Sequence, residues 1–218
     1  GSCLLVLYVV ATYNESMNQN EIKKFLAGHA HLRTRTLVIV DFGNVEKWKQ
    51  SLGWQVGIQE LANLVKNVSS GSRYLRRFYY GSDYGKSEKS LTLDPWSKGI
   101  LSRAYTNGFE VVTKRVKYIH SADSVHGYEK KCDLDVDMAI DLVKEVDNYD
   151  TVMLFSGDGD LMYAVAYIVS TLGKKCYVMG ARDHIGREVF DAYAQGNIEK
   201  ILFAEDFEYR LDMRRSYR

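Results

Sequence analysis

Apolar positions along the chain follow two alternating rhythms. Short, β-branched or aromatic runs occur at Thr36–Asp41 (TLVIVD), 73–82 (RYLRRFYYGS), 109–116 (FEVVTKRV), 151–156 (TVMLFS), 175–180 (KCYVMG) and 200–203. Runs of this kind read as strands, and continuous burial on both faces explains the lack of polar alternation in TLVIVD and TVMLFS. Between them lie stretches with helical spacing: 58–68, with Leu61, Leu64, Val65 and Val68 on one side; 95–107, with Pro95 near its start and Gly108 past its end; 135–146; 161–172; and 185–194. In 135–146 the spacing of Val136, Ile140 and Val143 marks the core side. Strands alternating with helices predict an α/β fold whose mainly parallel sheet of five to six strands is covered on both faces. Residues 117–131 show no clear period. Residues 1–35 are expected to be an extension, with a short helix at 20–30 and a strand or packing segment at 4–11. Residues 36–205 would then form the domain, and 206–218 a basic tail.

Composition narrows the picture only slightly. The 218 residues are 46% hydrophobic and contain one proline, which suits a single folded domain. Lys and Arg number 29 against 28 acids, a formal charge of +1, so no overall basic excess advertises nucleic acid and local patches must decide. Cys3, Cys132 and Cys176 are scattered and form no CxxC pair, which argues against zinc and disulfides and for a reducing cytoplasm. Leu4–Ala11 is too short to span a membrane, and no membrane association is expected.

Ligands of parallel sheets bind outside the carboxyl ends of the strands. Here those ends carry acids. The first strand closes on Asp41 in DFGN, with Asn44 three residues on; the fourth leads into SGDGDL, with Asp158 and Asp160; KKCDLDVDMAID precedes the intervening helix. Each has a plain reading as well. Asp41 suits a strand-to-helix turn, Asp135 or Asp160 an N-cap, and Asp137 with Asp141 the solvated side of a helix. Together, Asp41, Asp135, Asp158 and Asp160 converge on one sheet edge. Unit charges ~4 Å apart repel by roughly 4 kcal/mol at an effective dielectric near 20. Such crowding calls for a cation or for raised pKa values. Hard oxygen ligands without clustered His or Cys suit Mg²⁺ or Mn²⁺, ions that serve phosphoester chemistry. Gly157 and Gly159 are expected to let the loop turn tightly enough for both acids to reach one ion.

DFGN, KKCDLDVDMAID and SGDGDL, followed by an apolar helix and GKKCYVMG, resemble the NYN domain, in particular its LabA-like branch within the PIN-like nuclease superfamily. The resemblance spans roughly residues 36–204. Leu161 stands where the family usually has phenylalanine, and Lys131 lies one residue further from Asp135 than the family pattern. The resemblance implies a Rossmann-like three-layer sandwich and a metal-dependent ribonuclease. Asp41, Asn44, Asp135, Asp158 and Asp160 would then be catalytic, and Asp41, Asp135, Asp141, Asp158 and Asp160 would hold Mg²⁺ or Mn²⁺. It leaves open a non-catalytic RNA- or protein-binding regulatory module. A haloacid-dehalogenase-like phosphatase is disfavoured, because Gly43 stands where that chemistry needs a second aspartate.

RNA, single-stranded for preference, would be met by cations near the acidic edge: Lys114, Arg115 and Lys117 after the third strand, Arg182 and Arg187 after the fifth, and Lys131 with Ser156 from the motifs themselves. Arg73, Arg76 and Arg77 among the aromatics of the second strand suit either RNA contact or a half-exposed strand. His120, His126 and His184 read as loop residues. A homodimer is left open.

Overall fold

The computed structural model describes residues 16–32, 35–69, 73–122, 124–125 and 127–217. Residues 4–11 and His126 lie outside that set. Six strands form one parallel sheet: β1 (Thr36–Asp41), β2 (Arg76–Tyr79), β3 (Glu110–Val112), β6 (Thr151–Phe155), β7 (Lys175–Gly180) and β8 (Lys200–Phe203), in the order β3-β2-β1-β6-β7-β8. Between β3 and β6 the chain inserts a separate antiparallel hairpin of β4 (Lys117–His120) and β5 (Tyr128–Lys131). The helices are α1 (Gln19–Leu32), α2 (Phe42–Val45), α3 (Lys49–Leu52), α4 (Ile58–Val68), α5 (Pro95–Thr106), α6 (Asp135–Lys144), α7 (Met162–Ser170), α8 (Arg187–Ala194) and α9 (Glu208–Leu211). The α/β expectation and its helix-strand alternation are borne out.

Alternate residues of each central strand feed opposite layers. Val38 and Val40 of β1 and Met153 and Phe155 of β6 point to a layer shared with Ile22 and Leu26 of α1, Leu61 and Val65 of α4, and Ile100 of α5. Leu37, Ile39, Val152 and Leu154 point the other way, to Met138 and Leu142 of α6, Val165 and Ile168 of α7, and Val189 of α8. Such period-two alternation on a doubly covered sheet explains why these strands show no alternation of polar and apolar residues. Phe207 and Leu211 are buried in the first layer, and Gly57 N donates to the Leu211 carbonyl at 2.9 Å.

Three expectations need correcting. Helix α6 is rotated from its predicted orientation: Val136, Ile140 and Val143 are exposed, whereas Met138 and Leu142, with Leu134 just before the helix, face the core. The helix carries two overlapping apolar stripes, and Asp141 on the Met138–Leu142 side is drawn inward by Arg77 and Tyr79 of β2. The third strand ends at Val112, and only an isolated bridge from Arg115 to Ser82 continues it. The unpatterned 117–131 segment is the β4–β5 hairpin; with most of its residues exposed, it shows no apolar alternation.

β1 and β6 lie side by side, in register from Thr36↔Thr151 to Val40↔Phe155. Beyond them the order runs outward in opposite directions, to β2 and β3 on one side and β7 and β8 on the other. That reversal is the topological switch point of a doubly wound sheet, where a crevice opens at the strands' carboxyl ends. Behind the β6 loop, Gly157 packs against the chain after β7. Its N–H serves Asn44, and its carbonyl accepts from Gly186 N at 2.8 Å. Gly157 and Gly159 are not among the residues with positive φ, so the expected tight-turn role does not explain them. At Gly157 the need is room, because a Cβ there would overlap the His184 carbonyl.

Gly157→Ala is therefore expected to destabilise the fold by about 1–3 kcal/mol through overpacking against backbone, read as a lower urea midpoint at unchanged m-value.

Candidate metal centre at the switch point

Each acid reaches the crevice by a different local device. Asp41 ends β1 and caps α2: its Oδ1 accepts from Asn44 N at 3.2 Å, and its Oδ2 accepts from Ser156 Oγ at 2.9 Å. Ser156 Oγ in turn accepts from Asp158 N at 3.1 Å, and Asp158 Oδ1 accepts from Asp160 N at 3.0 Å. A continuous hydrogen-bonded relay therefore runs from the first strand's end to the β6 loop. Asn44 closes it from the other side. Its Oδ1 accepts from Gly157 N at 3.1 Å and from Trp48 Nε1 at 2.8 Å, which latches the DFGN loop to the SGDG loop.

Asp135 is the first residue of α6 and not its N-cap. The preceding Leu134 makes no side-chain cap, and Asp135 N is taken by Asp133 Oδ1 at 3.1 Å. Asp160 does not cap the next helix either; α7 follows Leu161 with no side-chain cap. Both carboxylates are thus left for other work. Asp135, Asp158 and Asp160 each offer an oxygen within 4.8 Å of the others. Asp41, Asn44, Asp135 and Asp158 line one cleft of ≈ 570 Å³.

The electrostatics reflect the crowding. Asp135 is pushed up to about 7, first by burial and then by the charges of Asp158, Asp133 and Asp41. Burial also pushes Asp41 up, and Asp158 adds to the effect, against the hydrogen bond from Ser156. Two acids nearby are neutralised by cations. Asp83 is held below its ordinary range by Lys130, Gly85 N and Tyr118, despite its burial. Asp141 is an ion-pair partner of Arg77, which also pairs with Glu145 at 2.7 Å, and Tyr79 Oη donates to Asp141 at 2.6 Å. Its carboxylate thus faces β2 and is not one of the three clustered acids.

The expected substrate cations are scattered. Lys114 pairs with Asp137, and Arg115 donates to the Ser87 carbonyl at 2.9 Å while lying over Tyr84. Lys117 and Lys131 face each other across the hairpin. Arg182 lies over Phe203 and donates to Ser16, and Arg187 sits 3.8 Å from Asp191. Lys47, Lys130, Glu46 and Trp96 line the cleft, and the sequence pattern did not single them out. Their spacing carries no motif, although Lys47 follows DFGN closely enough that its place after the first strand's end was readable.

A profile of the NYN domain matches residues 35–196. The low amplitude and bright protein LabA of Synechococcus elongatus is 25% identical over 132 residues, covering 61% of this chain and 66% of LabA, just under two thirds of that protein. A crystal structure of a protein of unknown function from Vibrio parahaemolyticus superposes with a TM-score of 0.56 at 21% identity, covering 78% of this chain and 93% of that one. That likeness concerns the fold.

Two outcomes follow from the charge arrangement. A carboxyl raised to about 7 in the folded state contributes stability below the ordinary carboxylate range that is lost as pH rises through 7. In chelator, the melting temperature should fall between pH 5 and 8, and Asp135→Asn should flatten that slope, by differential scanning fluorimetry. By contrast, Asp141→Ala removes one of the two carboxylates that pair with Arg77 and the acceptor of the Tyr79 hydroxyl, and should cost about 1–3 kcal/mol in urea unfolding.

Proposed function

Because the chain belongs to the NYN domain family, within the PIN-like nuclease superfamily, we propose that it is a metal-dependent ribonuclease acting on single-stranded RNA in the cytoplasm. The observation that carries this reading is the approach of Asp135, Asp158 and Asp160 to within 4.8 Å at the switch point, beside Asp41. Among the described residues these four acids form no ion pair, although Lys47 lies near enough to Asp41 to favour its charged form, whereas Asp83, Asp137, Asp141, Asp150 and Asp212 are each ion-paired.

A divalent cation fits this donor set. The ligands are all hard oxygens, which favours Mg²⁺ or Mn²⁺, and the raised Asp135 carboxyl marks negative charge that a cation would relieve. Asp135, Asp158 and Asp160 would hold it, with Asp41 as a further ligand. When bound, it supplies Lewis-acid neutralisation of charge building on a phosphodiester.

The chain's own groups do the rest. Asp41 is fixed through both oxygens, so the floor of the cleft is rigid before substrate arrives. Asn44 uses Oδ1 as the latch, leaving Nδ2 to donate to a phosphate oxygen or to water. Lys47, exposed on the cleft wall, supplies a positive charge for the RNA backbone, and Lys117 opposite Lys131 extends that path along the hairpin. Such a like-charged cross-strand pair is unfavourable alone and is relieved by an anion.

Several familiar chemistries are poorly served. No helix among the described residues is long and apolar enough to cross a membrane, and Cys176 is fully buried, with its thiol pushed up to about 12.

A labelled single-stranded RNA should be cleaved in Mg²⁺ or Mn²⁺ and left intact in chelator. Asp158→Asn should slow cleavage by roughly 100-fold or more, equivalent to about 2.7 kcal/mol of barrier, with the circular dichroism spectrum retained. Cleavage that survives both Asp41→Asn and Asp158→Asn would sink the proposal, and binding without turnover in either metal would favour a regulatory module.

A further inference from the structure

The cleft has a second wall that the acidic cluster does not use. Trp96 stands in the first turn of α5, capped by Asp94, and is 53% exposed although it is among the largest apolar side chains. Its indole is oriented nonetheless: Nε1 donates to Glu46 Oε1 at 3.1 Å. Glu46 Oε2 accepts from Tyr80 Oη at 3.0 Å. Tyr80 is held in turn by an edge-on contact with Phe42, 5.7 Å between ring centroids at 67°. Trp96, Glu46 and Tyr80 thus form a braced unit lining the same cleft as Asp41, Asp135 and Asp158.

An exposed indole fixed by its own N–H offers a flat face that needs no reordering on binding. Such a face is a stacking platform for a nucleobase. Glu46 receives one hydrogen bond on each oxygen, and each carboxylate oxygen can accept a second. An acceptor-only group beside a stacking face favours bases that present amino donors, as a carboxylate does toward the cytosine amino group, and disfavours the carbonyl edge of uracil. Lys130 lines this wall but is paired with Asp83 at 2.7 Å; the exposed Lys47, on the same cleft, is the cation placed for the adjoining phosphate.

We propose that Trp96 and Glu46 form a nucleobase subsite that seats an unpaired, amino-bearing base next to the acidic centre. This rests on the ribonuclease reading for its polymer but not for its chemistry. A base inside a duplex cannot present its face to an indole, so the subsite selects single-stranded substrate. It requires no rearrangement of the cleft walls.

The three tryptophans make the test direct. Trp48 and Trp54 are 0% and 8% exposed, so quenching by a stacked base reports on Trp96. In chelator, which prevents cleavage, short oligocytidylate should quench the intrinsic fluorescence and bind more tightly than oligouridylate of equal length. Trp96→Ala should abolish the quench and weaken oligocytidylate binding, by anisotropy, by roughly 5- to 150-fold. Trp96→Phe should recover most of that binding, and Glu46→Gln should narrow the cytidylate preference. Unchanged anisotropy in Trp96→Ala, or duplex RNA bound as tightly as single strands, would overturn the subsite whatever the cleavage result. Normal quenching with no metal-dependent cleavage would instead defeat the ribonuclease reading and leave the subsite standing.

Discussion

Parallel pairing between β1 and β6 sets everything else in place. The two strands run level from Thr36↔Thr151 to Val40↔Phe155, buried on both faces, so the residues that follow, Asp41 and Ser156, meet within hydrogen-bonding distance. A one-residue slip would send Leu37 and Ile39 into the opposite layer and reverse every contact that β1 makes. Core packing therefore enforces the alignment of the acidic edge far more strongly than any single bond within it. The Asn44 latch refines what the strands impose, tying the two loops through a hydrogen bond of 3.1 Å.

The distribution of charge separates structural acids from chemical ones. Asp137, Asp141, Asp150 and Asp212 are each matched by a lysine or arginine, and their burial or exposure follows that match. Among the described residues the switch-point acids form no ion pair; they meet hydrogen-bond donors, one another and, at Asp41, the more distant charge of Lys47. Arg77 illustrates the difference. It stands on the strand beside β1, yet its guanidinium is spent on Asp141 of α6 and on Glu145 just past that helix. The wall facing the acids is instead built of an aromatic unit and lysines, a surface of the other kind, suited to bases and phosphates.

Much of this was legible in the sequence where burial left a simple trace. TLVIVD and TVMLFS declare doubly buried strands, and strand ends in a parallel sheet locate the crevice, so the meeting of the DFGN and SGDGDL loops, through Asp41 and Ser156, could be read from order alone. The orientation of α6 could not. Val136, Ile140 and Val143 compete there with Leu134, Met138 and Leu142, and the choice between the stripes is made by Arg77 and Tyr79, some sixty residues earlier in the chain. For the same reason Asp141 looked like a further ligand. The Glu46–Trp96 bond joins residues fifty positions apart across a polar loop and leaves no local pattern. The hairpin was silent because exposed strands need no apolar alternation. The glycines were legible as necessary, but the reason at Gly157 is steric, set by a carbonyl from another loop.

Crowded carboxylates place folding and chemistry in opposition within this domain. The charge at Asp135 is held against its neighbours by the sheet's packing, and its loss would relieve that crowding; Asp41 differs, because it caps α2 and holds Ser156. On the ribonuclease reading, a lineage in which hydrolysis no longer mattered would become sturdier by losing Asp135 first. Among the described residues the aromatic wall across the cleft shares no hydrogen bond with those acids, so on the same reading such a descendant could shed cleavage and keep the exposed stacking face.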